Sequence, residues 1–113
     1  MINIDEFLKI EMKIGKVISA EPVEGSAKLL KLIVDFSETD EAGVSKPRQV
    51  LSGIGKYVNP EELVGQIFPF VTNLPPRVMM GLESQAMILA ASDENGLALL
   101  KPTYNVAVGT KLS

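Results

Sequence analysis

Apolar residues recur at every second position in the clearest segments of the chain, which favours strands over helices. The clearest run sets Leu30, Leu32, Val34 and Phe36 on one face and Lys31, Ile33 and Asp35 on the other, predicting a half-buried strand. Before it, Met12 to Pro22 is rich in β-branched residues, and Gly15 interrupts the alternation, predicting a bulge that bends the strand. After it, Ser37 to Lys46 is polar and acidic and ends at Pro47, which reads as a mobile hairpin loop. Arg48, Val50 and Ser52 then alternate with Gln49, Leu51 and Gly53 in a third strand that Gly53 and Gly55 bring to an end.

Two short helices interrupt this pattern. Asn3 and Glu6 have capping-box spacing, with Ile4, Phe7 and Leu8 as one apolar stripe, so the first helix is expected to plug part of the core. Asn59, Pro60, Glu61 and Glu62, closed by Gly65, spell about one helical turn. A fourth strand over Gln66 to Asn73 carries Phe68, Phe70 and Val71 and is stopped by Pro75 and Pro76. Gln85 to Ala91 predicts a fifth strand, Asp93 to Gly96 a turn, Leu97 to Leu100 a sixth strand, and Val106 to Leu112 a terminal extended piece. The sum is an all-β chain, compatible with a five-stranded Greek-key barrel that has a small helix between strands 3 and 4 and a C-terminal extension.

Composition narrows the chemistry. At 113 residues, 46% hydrophobic and 22% charged, one folded domain over 1–113 is expected. No apolar run approaches the ~18 residues of a membrane span and the start has no signal pattern, so a cytoplasmic setting with no membrane partner is expected. With no cysteine and no histidine, disulfides, thiolate nucleophiles, the usual proton shuttle and the commonest metal ligands are all missing. No phosphate-binding loop, dinucleotide fingerprint or nucleophile elbow is present. The adjacent acids Asp5/Glu6, Glu61/Glu62 and Asp93/Glu94 fit helix ends and turns better than an acid/base pair. We therefore expect no cofactor, no metal and no catalytic residue. The net charge of -3 means that any nucleic-acid binding must use a local basic patch.

Three segments resemble a known family in order and spacing. They are Met12-Lys13-Ile14-Gly15-Lys16-Val17 with Ala20-Glu21-Pro22 and Lys28-Leu29-Leu30-Lys31-Leu32; Pro47 to Ile54 with Pro60-Glu61-Glu62-Leu63-Val64-Gly65; and Asn73-Leu74-Pro75-Pro76-Arg77 with Met80 to Met87. Together they resemble the tRNA-binding domains found as free-standing proteins, at the C-terminus of methionyl-tRNA synthetases and in synthetase-associated cytokine precursors. The resemblance implies an OB-fold, a non-catalytic role with tRNA as partner, homodimers formed largely through the C-terminal extension, and possible association with methionyl-tRNA synthetase. It departs at Pro75, where the family usually has lysine, at Ala86, where it has glycine, and at Lys13, where arginine is frequent. Related folds associated with protein export supply an alternative, a chaperone-like protein-binding module.

The expected RNA-binding set is Lys13, Lys16, Lys28, Lys31, Arg48, Asn73, Arg77, Ser84 and Met87. The first five lie on the first three strands or their connection, where cations can track a phosphate backbone; the bland alternative is a solvated strand face. Arg77 follows two prolines and can present a rigid fork to phosphate, unless Glu83 pairs with it. Ser84 and Met87 are implied by the resemblance, as a hydroxyl for phosphate or ribose and a thioether against a base. Asn73 carries amide groups at a strand end, where an asparagine more often satisfies its own turn. Few aromatic residues are available for stacking, so RNA shape and backbone should dominate recognition.

Overall fold

The computed structural model describes residues 1–113. Nine strands and two short helices follow in the order α1 (Ile4–Phe7), β1 (Met12–Pro22), β2 (Leu30–Asp35), β3 (Arg48–Ser52), α2 (Pro60–Leu63), β4 (Ile67–Val71), β5 (Arg77–Met79), β6 (Leu82–Ser84), β7 (Met87–Ile88), β8 (Ala90–Asp93) and β9 (Gly96–Leu99). The main antiparallel sheet has the order β3-β2-β1-β4-β7 and rolls into the expected OB-type barrel. No helix is long and apolar enough to cross a membrane.

β1 makes the roll possible by serving two partners. Its first half, Met12 to Lys16, pairs with β4, and its second half, Lys16 to Pro22, pairs with β2. The bend lies at the register shift between Val17 and Ser19, not at Gly15 as the alternation suggested. Gly15 has a different cause: a Cβ there would stand 2.6 Å from both Phe36 and Val34, so the core packs directly on its backbone.

The core gathers the inward residues of β2 with Val17, Val50, Phe68, Phe70 and Ile88. Phe36 and Phe70 meet edge to face, with centroids 5.2 Å apart. β4 is buried along its whole length. α2, capped by Asn59 and started by Pro60, sends Leu63 into the barrel end.

Several expected elements came out otherwise. α1 has its capping box but buries none of its residues, so it plugs nothing. The expected strand over Gln85 to Ala91 is split into β7 and the start of β8, and a hairpin, β5–β6, precedes it. Met80 (φ 52) and Gly81 (φ 76) make that hairpin's tight turn, a conformation that a methionine pattern does not advertise. The terminal extended piece over 106–112, by contrast, is present as a strap beside β1, where Ile14 N–H donates to Thr110 O, Leu112 N–H to Met12 O, and Lys13 forms a backbone bridge with Lys111. The 37–46 loop is pinned by Asp40, whose carboxylate accepts from the Ala42 and Val44 N–H groups.

Candidate nucleic-acid interface

β3 is an edge strand, and its closure decides which candidate side chains remain free. An edge leaves alternate backbone groups without partners. Here the segment after β6 fills them. Gln85 N–H donates to Gln49 O, Gln49 N–H to Gln85 Oε1 at 2.9 Å, and Leu51 N–H to Ser84 Oγ at 3.0 Å. The barrel seam is thus sealed mainly by side chains acting as strand partners. Ser84 Oγ also donates to Ala86 O, and the residue is buried, so its hydroxyl is spent inside the protein.

Arg48 anchors the same seam. Four of its five N–H donors are used: two on the Glu38 carboxylate at 2.7 and 2.6 Å, and two on the Thr72 and Gln85 carbonyls. Its guanidinium also lies over the Phe36 ring, 5.4 Å from the centroid. The Arg48 hydrogen bonds hold the Glu38 carboxyl below its ordinary range, and Glu38 in turn raises the Arg48 pKa. Lys13 lies between carboxylates, 3.6 Å from Glu11 and 3.9 Å from Glu38. Glu11 accepts from Thr72 Oγ1, the chief reason its own carboxyl is shifted down. Lys31 pairs at 2.8 Å with its cross-strand neighbour Glu21. Asn73 satisfies no local turn; it accepts from Glu11 N–H and donates to Lys9 O, stitching the N-terminal segment to the end of β4.

Lys16, Lys28, Arg77 and Met87 behave differently. All are exposed, and none of the three cations has a carboxylate within ion-pair distance. Glu83 does not pair with Arg77: in the hairpin Arg77 faces Ser84 across the strands, while Glu83 faces Val78 on the opposite surface. Arg77 and Met87 share a cleft of about 270 Å³ whose walls are the β3 end from Leu51 to Gly53, the Leu74-Pro75 connection, Met79, and Ser84 with Ala86. Lys28 joins its rim, since its aliphatic stem lies 3.8 Å from where a Cβ on Gly53 would stand. Lys16 lies apart, on β1 beside Asp35 and Ile67.

A neighbouring depression of about 370 Å³ is polar, lined by Glu38, Thr72 and the already engaged Arg48. Sequence reasoning missed two participants. Glu38 sat in an acidic loop with nothing to mark it, although its ion pair holds Arg48. Lys56 was not singled out, yet Gly55 N–H donates to Lys28 O at 2.7 Å, so the backbone before exposed Lys56 is tied to the β1–β2 connection. A Cβ at Gly55 would stand 2.7 Å from that oxygen, the physical signal behind the glycine.

Residues 12–111 match the family model described as "Putative tRNA binding domain". The chain belongs to the tRNA-binding domain family. Among its relatives, the methionine–tRNA ligase of Caldanaerobacter subterraneus subsp. tengcongensis is 42% identical over 112 residues, covering 99% of this chain and 16% of the ligase. The chain therefore spans about one sixth of the length of the ligases it matches. Among solved structures, a MetRS-related protein from Pyrococcus horikoshii superposes with TM-score 0.88 at 38% identity, covering 100% of this chain and 98% of the other. The chaperone CsaA of Bacillus anthracis superposes with TM-score 0.82 at 32% identity, covering 100% and 99%. For this member of the family, the cleft between β3 and the β5–β6 hairpin is lined by Arg77, Ser84 and Met87 of the expected set, of which Arg77 and Met87 are exposed.

Proposed function

We propose that this chain binds structured tRNA without catalysing a reaction, as an accessory module that serves methionyl-tRNA synthetase in the cytoplasm. The observation that carries the reading is the pair of unpaired cations, Lys28 and Arg77, on the rim of a mostly apolar cleft in a member of the tRNA-binding family. A negative chain needs such a local concentration of positive charge to meet phosphate. Lys16 is a further contact in this proposal, and Met87 supplies a soft wall for a base. Arg48, Ser84 and Asn73 hold the scaffold, and Lys13 and Lys31 are largely neutralised by their partners. Lack of the family's lysine at Pro75 leaves Arg77 as the principal donor on that wall.

The same proposal includes a homodimer. α1 presents Ile4, Phe7 and Leu8 as an exposed apolar side, and the C-terminal strap hydrogen-bonds to the start of β1. A second copy covering that side would double the basic rim and raise tRNA avidity. Sedimentation at micromolar protein should give twice the chain mass, and Leu8→Glu should return the monomer.

A second reading, an unfolded-peptide binder, is favoured by the exposed Val78 and Met80 on the β5–β6 hairpin and by the CsaA likeness. Ionic strength separates the two. tRNA binding should weaken with salt at a log-log slope of about -0.7 to -0.9 per neutralised phosphate. Binding that favours an unfolded polypeptide and scarcely responds to salt would replace the tRNA reading with the chaperone one.

A further inference from the structure

The size and lining of the cleft say more than phosphate tracking does. We infer that it receives a single unstacked nucleotide of a folded RNA, base inward against Met87 and Leu74, with the flanking phosphates on Arg77, Lys28 and Lys56; this rests on the tRNA-binding reading above. A volume of about 270 Å³ falls just under the ~300 Å³ at which drug-sized pockets begin, so it admits one ring system and no strand or helix. Paired RNA keeps its bases stacked and offers only edges, whereas loops and bulges can turn a base outward.

The walls suit a base face. Met87 is exposed and polarizable, Leu74 is half exposed, and Pro75 adds an aliphatic ring where an ammonium would otherwise intrude. The buried hydroxyl at the floor, Ser84, has its donor and acceptor engaged, so it reads no base edge. With only the Ser52 hydroxyl left unengaged on the wall, selection is chiefly for an available base and little for its identity. Arg77 stands in the cleft and Lys28 at its Gly53 edge, both without ion-pair partners, and exposed Lys56 follows the Gly55 that hydrogen-bonds to Lys28 O, while Glu83 lies on the far surface of the hairpin. Positive charge beside an apolar floor complements a base flanked by phosphates better than it does an apolar peptide.

The test uses the full chain and two RNA hairpins, one fully paired and one identical except for a single bulged 2-aminopurine. The bulged hairpin should bind about five- to tenfold tighter, at the low end of base-stacking effects because the wall is not aromatic. 2-Aminopurine fluorescence should rise as the base leaves its stack. Met87→Ala should erase the preference for the bulged hairpin. Gly53→Val, which meets only the flexible Lys28 stem, should do the same by narrowing the cleft. Lys56→Ala should reduce the salt slope on both hairpins by about 0.7 to 0.9. Equal binding of the two hairpins with flat fluorescence would overturn the nucleotide pocket while leaving RNA binding intact. Failure to bind either hairpin or tRNA would remove the underlying reading. An unfolded polypeptide that binds wild type and is lost in Gly53→Val would give the cleft to protein instead.

Discussion

Arg77 and Ser84 are opposite each other in one short hairpin, yet Ser84 is buried with its hydroxyl used twice, while Arg77 stands in solvent with no ion-pair partner. The contrast extends to their neighbourhoods. Along the seam, Arg48, Glu38, Gln49, Gln85 and Ser84 form a network in which the protein consumes its own polar groups. Along the rim, Lys28, Lys56 and Arg77 spend no charge on a carboxylate: the β1–β2 loop is tied by the Gly55 N–H and by Ser26 Oγ, which accepts from the Lys28 and Leu29 N–H groups, and the hairpin is entered through two prolines. A polar side chain suggested by family resemblance can therefore belong to either class, and its hydrogen-bond partners tell which. The seam builds the cleft; the rim leaves its cations free for a ligand.

The largest effect should come from the seam's anchor. Arg48→Ala leaves the Thr72 and Gln85 carbonyls and the Glu38 carboxylate without their donor, and should cost about 2 to 4 kcal/mol in urea unfolding. The fraction that remains folded should bind tRNA as wild type does. Normal stability with lost binding would move Arg48 to the rim class. Next in size, Gly55→Ala forces a Cβ against Lys28 O and should cost about 1 to 3 kcal/mol. It should also weaken tRNA binding, because the loop that carries Lys28 must shift. A smaller loss, about 1 to 2 kcal/mol, is expected for Ser84→Ala, which strands the buried Leu51 N–H.

Acid should act on the seam through Glu38, and beside it on Glu11, whose carboxyl the Thr72 hydroxyl also holds down. The Glu38 carboxyl is shifted below its ordinary value of 4.5 in the folded protein, so its contribution is complete above that value and fades as pH falls through the lower folded value. The raised Arg48 pKa adds no change in this range, since the guanidinium stays protonated throughout. Urea midpoints measured between pH 7 and pH 3 should fall for wild type and fall less for Glu38→Gln. Equal acid sensitivity in the two proteins would detach Glu38 from the seam's stability.

Much of the barrel was legible because period-two alternation is a local signal. Leu30, Leu32, Val34 and Phe36 could face only one way, and Asn59-Pro60 could hardly do anything except start a helix. The β5–β6 hairpin was not legible, since its turn puts Met80 in the left-handed region without an asparagine or aspartate to announce it. Gly15 looked like a bulge because a pattern break has the same appearance whether the backbone bends or a distant ring packs on it. For the site, charge identity was visible but charge pairing was not. Glu21 lies ten residues from Lys31, and Glu38 ten from Arg48, and only the strand register makes them neighbours. Lys56 escaped notice because the tie of its neighbour Gly55 to Lys28 is a backbone hydrogen bond that no side-chain pattern encodes.

The most direct measurement sets Arg77→Ala beside Ser84→Ala in tRNA titrations at one low ionic strength, with urea unfolding of each protein as a control. Arg77→Ala should keep stability within about 0.5 kcal/mol of wild type and bind tRNA about tenfold more weakly, the equivalent of about 1.4 kcal/mol. Ser84→Ala should lose stability and hold its tRNA affinity within about twofold, roughly 0.4 kcal/mol. The reverse pattern, with Ser84→Ala abolishing binding in a fully stable protein and Arg77→Ala leaving it intact, would contradict the division between seam and rim.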